Sequence, residues 1–69
     1  MAGKVTITLN GAIQTIAAEN IADLLKIIMP GKQQVAVEHN AEIIPRSLHA
    51  STAICDGDQI EIIGFIGGG

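Results

Sequence analysis

The chain has 69 residues, a formal net charge of −3 and only four Lys and Arg residues. It is sized for one small domain and has too few cations for a phosphate-binding patch. Its single aromatic residue, Phe65, offers no base-stacking platform, so nucleic acid is not an expected partner. One cysteine, Cys55, allows no intrachain disulfide, no Cys/His cluster stands at metal spacing, and no apolar run approaches the ~20 residues of a membrane-spanning helix.

Lys4–Leu9 alternates Val5, Ile7 and Leu9 with Lys4, Thr6 and Thr8, the period of a half-buried strand. Asn10-Gly11 follows, and both residues tolerate the positive φ of a type I′ hairpin turn. Ala12–Ala17 is the returning strand; its apolar anchors Ile13 and Ile16 are out of phase by one, which predicts a bulge, a twist or mixed burial. Asn20 is a suitable N-cap and Asp23 places a carboxylate in the first helical turn. Ile21, Leu24, Leu25 and Ile28 then recur at one continuous helical face, and Pro30-Gly31 ends the helix.

Gln34–Glu38 predicts a third strand, His39-Asn40-Ala41-Glu42 a turn, and Ile43-Ile44-Pro45 a short edge piece limited by its proline. Arg46–Ile54 is expected to be irregular or a single helical turn, and Asp56-Gly57-Asp58 a tight turn. Gln59–Ile66 is the last strand, apolar along most of its length, as suits a central strand. The helix crossover between the hairpin and the later strands lets the last strand lie parallel beside the first. The expected class is therefore α+β, a β-grasp: one main helix packed on one face of a mixed sheet of four to five strands. The expected domain spans residues 1–66, with 67–69 a flexible C-terminal glycine tail.

Those last residues, Gly67-Gly68-Gly69, are the feature the fold does not require. Glycine is costly to order and brings no side chain to bury. Three of them supply a slender arm that reaches ~10 Å past the strand and fits a channel too narrow for any other residue. A frayed terminus is the plainer alternative.

Among the side chains that could carry chemistry, Cys55 has no neighbouring cation in sequence to lower its pKa, and is read as a small, partly buried residue before a turn. His39 and His49 fall short of a metal site and are read as solvated loop residues. Glu38, Glu42, Asp56, Asp58 and Glu61 are read as solubilising charges, with Asp56 and Asp58 bonding their own turn backbone. If Ile60 and Ile62 face the helix, alternation puts Ile63 and Phe65 on the opposite face, where a single-layer sheet meets water. Exposed apolar groups beside the arm suggest a docking patch of Ile63, Phe65 and Ile66.

The run Cys55-Asp56-Gly57-Asp58-Gln59-Ile60-Glu61-Ile62-Ile63, a short apolar link and the terminal glycines resembles the D-G-D-x-(I/V)-E-(I/V) ending of the ThiS family of bacterial sulfur carriers, which are ubiquitin-like. Val37-Glu38-His39-Asn40 and Ile43-Ile44-Pro45-Arg46 resemble the family's V-E-x-N…(I/V)-(I/V)-P-R segment. The opening strand with Asn10-Gly11 and the helix Ile21-Ala22-Asp23-Leu24-Leu25 agree as well; Ala41 departs, standing where many relatives have Gly. The resemblance covers nearly the whole chain.

It implies a cytoplasmic protein cosubstrate with no catalytic residues and no bound cofactor. Gly69 bears the modified carboxylate, and Gly67 and Gly68 lead to it. A ThiF-like adenylyltransferase using ATP and magnesium activates that carboxylate. A sulfur-donating enzyme then turns it into a thiocarboxylate, and a ThiG-like thiazole synthase takes the sulfur for thiamine biosynthesis. The same tail also suits a ubiquitin-like modifier conjugated through Gly69, or a sulfur carrier for another pathway such as molybdopterin. A β-grasp interaction module without tail chemistry is the reading from a different class.

Overall fold

The computed structural model describes residues 3–31 and 34–64. Its elements are β1 (Val5–Leu9), β2 (Ala12–Ile16), α1 (Ile21–Ile28), β3 (Val35–His39), β4 (Glu42–Ile44), a single 3₁₀ turn (Arg46–Leu48) and β5 (Gln59–Gly64). The five strands form one sheet in the order β2-β1-β5-β3-β4. Every neighbouring pair is antiparallel except β1 and β5, which run parallel at the centre. This is the expected β-grasp, with β5 placed centrally as its apolar run implies.

One face of the sheet carries the core. Val5, Ile7 and Leu9 of β1, Val35 and Val37 of β3, and Ile60 and Ile62 of β5 point to the side covered by α1, where Ile21 and Leu24 are fully buried and Leu25 and Ile28 pack beside them. Ala18 and Ile54, from the connecting segments, complete the cluster. The helical stripe read from the sequence is thus core along its length.

The start of α1 shows how the long segment after β4 is held. Its first amides find acceptors outside the helix: Ile21 N–H donates to the Thr52 carbonyl at 3.1 Å and Ala22 N–H to the His49 carbonyl at 3.1 Å. Asp23 N–H donates to the Asn20 side chain at 2.8 Å, the expected cap. Ile54 N–H donates to the Glu19 carbonyl at 3.1 Å, so residues 49–54 are stitched to the helix N-terminus on both sides of it. His49 is accordingly buried, its Nε2 donating to the Ile44 carbonyl at 3.2 Å. This corrects its reading as a solvated loop residue.

β2 pairs with β1 in unbroken register from Val5↔Ile16 to Leu9↔Ala12, so there is no bulge. Of the outcomes expected for the two anchors, mixed burial is the one found: Ile16 packs against the core, whereas Ile13 lies on the open side and is 78% exposed. β3 and β4 each extend into what reads as a turn, with His39 pairing Glu42, and the turn is confined to Asn40-Ala41. β5 is described to Gly64; the expected continuation through Phe65 and Ile66, and the domain boundary after residue 66, lie outside the described residues.

Both hairpins turn through two consecutive left-handed residues: Asn10 (φ 49°) with Gly11 (φ 83°), and Asn40 (φ 51°) with Ala41 (φ 70°). Ala41 therefore keeps the type I′ geometry despite its Cβ, at a cost of roughly 1–2 kcal/mol against the carbonyl oxygen that follows. Ala41→Gly relieves that strain but loosens the unfolded chain. The expected net effect is a stabilisation of about 0.5–1 kcal/mol, read as a rise in the thermal midpoint of a few degrees with unchanged far-UV circular dichroism.

Candidate functional site

The candidate site is the end of β5 and the surface around it, because this strand leads to the terminal glycines. β5 meets β1 through only two paired positions, Thr8↔Gln59 and Leu9↔Ile60. Main-chain bonds join them, Thr8 N–H to the Asp58 carbonyl and Asn10 N–H to the Ile60 carbonyl, each at 2.9 Å. Further bonds, most of them from side chains, lengthen this short junction at both ends. At one end Asp56 Oδ1 accepts from Thr6 N–H at 2.7 Å, and Gly57 N–H donates to the Thr6 carbonyl at 2.8 Å. At the other, Asn10 Oδ1 accepts from Ile62 N–H at 2.7 Å and Asn10 Nδ2 donates to the Ile62 carbonyl at 3.3 Å. Asp56 thus bonds a neighbouring strand, not its own turn.

A polar cluster locks the start of β5. Asp58 Oδ2 accepts from Cys55 N–H at 2.9 Å and from His39 Nε2 at 2.7 Å, while Oδ1 accepts from Asn40 Nδ2 at 3.2 Å. A carboxylate only accepts, so His39 carries its proton on Nε2. Asn40 Oδ1 in turn accepts from Gln59 N–H at 2.9 Å. Asp58 thus bonds its own turn backbone as expected, but it and His39 are largely buried partners joining the β3–β4 turn to β5, not a solubilising charge and a solvated imidazole. Cys55 contributes its amide and leaves its side chain exposed, which corrects its expected partial burial. Among the described residues no group of three or more His, Cys, Asp or Glu side chains is arranged to hold a metal ion. None of the described helices is long and apolar enough to cross a membrane.

The open face of the sheet lies opposite α1. Register places Ile63 beside Ala36, and Glu61 between Glu38 of β3 and the end of β1, with Ile43 of β4 beside Glu38. Ile63 is 49% and Ile43 62% exposed. β5 is therefore central yet covered on one face only. Glu38 and Glu61 stand directly across from each other, an arrangement that costs stability. Of the residues singled out from the sequence, Ile63 lies on this open face, while Phe65, Ile66, Gly67, Gly68 and Gly69 fall outside the described residues. Sequence reasoning missed Asn10, Asn40, His39 and Asp58 as the groups that hold the base of the strand. The one available signal was that an Asn at a left-handed turn position keeps a carboxamide free to reach a neighbouring strand.

Comparison with known proteins bears on the same segment. The ThiS family model matches residues 7–69, a span that includes the three glycines. A thiazole synthase of Paramagnetospirillum magneticum is 41% identical over 64 residues, covering 91% of this chain and 20% of that protein. The chain thus spans one-fifth of the length of that relative. The sulfur carrier protein ThiS of Bacillus subtilis is 43% identical over 49 residues, covering 71% of this chain and 74% of its own. The crystal structure of the thiamine biosynthesis protein ThiS from Geobacter metallireducens superposes with a TM-score of 0.75 at 34% identity, covering 94% of this chain and all of that one.

The Asp58 carboxylate shapes the acid limb of stability. Burial by itself raises its pKa, but the bonds from the Cys55 amide, His39 and Asn40 outweigh that and hold it below the ordinary carboxylate value. Its contribution is complete above the unfolded value, about pH 4, and is lost as pH falls through the lower folded value. Asp58→Asn should cost about 1–3 kcal/mol at pH 7, because it sets an amide N–H₂ against groups that donate. Urea unfolding from pH 7 to pH 3 should show wild-type stability falling at the acid end and a shallower fall in the variant.

Proposed function

Because the chain belongs to the ThiS family, we propose that it is a sulfur carrier for thiazole formation in thiamine biosynthesis, with Gly69 as the residue that bears the sulfur. The observation that carries this reading is the run of three glycines inside the matched region, following a strand that is firmly held at its base. In this reading the chain is a protein cosubstrate, and its partners contribute the catalytic groups.

A free carboxylate is a poor electrophile, so the first step is activation. In the site of a ThiF-like adenylyltransferase holding ATP and magnesium, a Gly69 carboxylate oxygen attacks the α-phosphorus and pyrophosphate leaves. Hydrosulfide released by a sulfur-donating enzyme then attacks the acyl carbon, AMP leaves and the S–H proton is lost, forming the thiocarboxylate. A ThiG-like thiazole synthase is the acceptor. Support for that partner comes from the P. magneticum relative, a protein called thiazole synthase that contains a stretch resembling nearly the whole of this chain. Gly67 and Gly68 give the arm the thinness needed to enter a partner's active-site channel. Ile63, with Phe65 and Ile66, forms the apolar contact beside it, and the reaction belongs in the cytoplasm, where ATP is available.

Intact-mass spectrometry after incubation with the adenylyltransferase, ATP, magnesium and a sulfur source should show one oxygen replaced by sulfur. Deletion of Gly68 and Gly69 should abolish that change while circular dichroism stays the same. An unaltered mass under conditions that convert an authentic carrier counts against the proposal, and conjugates to target lysines in its place favour a modifier. Ile63→Ser should lower kcat/KM for adenylation about tenfold, mainly through KM, as expected when one apolar interface residue is truncated.

A further inference from the structure

We infer that Asn10 is a positioning residue for the C-terminal arm: its carboxamide acts as a surrogate strand residue that fixes the last β1-side contact of β5 at Ile62. This rests on the carrier reading and adds to it a residue far from Gly69 in sequence.

The geometry is that of a ladder continued by a side chain. Asn10 donates its own N–H to the Ile60 carbonyl at 2.9 Å, as the next residue of β1 should. There the main chain turns away through left-handed Asn10 and Gly11, so no strand residue remains to meet Ile62. The Asn10 carboxamide takes that place, since it carries the same acceptor and donor as a peptide group. It receives Ile62 N–H at 2.7 Å and gives a hydrogen to the Ile62 carbonyl at 3.3 Å. Among the described residues, no bond from the β1 side reaches past Ile62, whereas β3 pairs with Ile63 and Gly64 on the other side. The turn does not need this side chain, because glycine also adopts the required φ. What the carboxamide adds is a second edge for the strand at the last point where one is present.

The position matters because of leverage. From Ile62 to Gly69 is seven residues, about 23 Å if extended inside a partner. A strand held at Ile62 on one edge only presents the root of the arm in the productive direction less often, and a misplacement of about 1 Å at the reacting atom can cost on the order of 10²-fold in rate. Ile63, the described residue of the proposed contact surface, keeps its β3 neighbour Ala36 when the clamp is lost. Loss of the Asn10 clamp should therefore lower turnover more than it weakens docking.

The test uses the full chain with the adenylyltransferase and ATP. Asn10→Gly keeps the turn and removes the carboxamide; Asn10→Asp keeps the acceptor for Ile62 N–H but sets a carboxylate against the Ile62 carbonyl. Both should reduce kcat for adenylation about tenfold with KM changed less than about twofold. In Asn10→Gly, hydrogen exchange at the Ile62 amide should accelerate at least about tenfold with the Leu24 amide unaffected. Asn20→Ala, which removes the helix cap, is the control for lost stability and should retain wild-type kcat. An unchanged kcat in both Asn10 variants, or an equal loss in Asn20→Ala, overturns the positioning role alone. A wild-type chain that forms no adenylate overturns the carrier reading and the positioning role with it.

Discussion

Everything in this fold depends on the parallel junction between β1 and β5. It joins the two ends of the sequence at the centre of the sheet, and only two residue pairs form it. A parallel pair cannot be closed by a tight turn; it needs a crossover. Here that crossover contains α1, which lands on the face carrying Ile7, Leu9 and Ile60 and buries them. A two-rung ladder is a weak seam for such a load. It is lengthened at one end by Asp56 and Gly57 on Thr6, and at the other by Asn10 on Ile62. Side-chain groups stand in for strand where the main chain has already turned away.

A single helix over five strands leaves one face of the sheet without a layer. That face can be polar at no cost to the core, and on β1 and β2 it carries Thr6 and Thr15, whose hydroxyls meet at 3.0 Å, beside the exposed Ile13. Toward β4 the character changes. Ile63 and Ile43 are exposed there around Glu38 and Glu61, two like charges set opposite each other. Neither feature helps an isolated domain: apolar area stays in water and the carboxylates repel. Both are consistent with a face whose value is realised against a partner, next to the strand that leads to the glycines.

The elements were largely legible because each has a local cause. Period-two alternation marks β1 and β3, Asn10-Gly11 marks the first turn, and Asn20 with the Ile21–Ile28 stripe marks α1. The chain order then leaves few ways to bury that stripe. The polar cluster at the base of β5 was not legible, for the opposite reason. Asp58 sits in an Asp-Gly-Asp turn and by composition belongs on the surface, and His39 reads as part of a loop. Only the pairing of β3 with β5 brings them within 2.7 Å, and 19 residues separate them in sequence. The burial of His49 likewise depends on residues 49–54 folding back onto the start of α1. At Ala41 the turn was expected but its type was not legible: a Cβ disfavours the left-handed conformation, yet the flanking β3–β4 pairs impose it.

The polar clusters and the glycine run solve two halves of one mechanical problem. On the carrier reading, an arm that must enter a narrow channel can carry no side chains, so it cannot fix its own direction. Direction has to come from the strand it leaves, and a strand is only as well placed as the contacts on its two edges. Asp58, with His39 and Asn40, holds β5 at its beginning; Asn10 holds it at Ile62. Apolar packing of Ile60 and Ile62 sets depth in the core but resists sliding and tilting poorly, because it is non-directional. Hydrogen bonds are directional and resist both. On the carrier reading, the side chains that matter most for where Gly69 is delivered are therefore polar, distant from it in sequence, and grouped around the strand before the glycines begin.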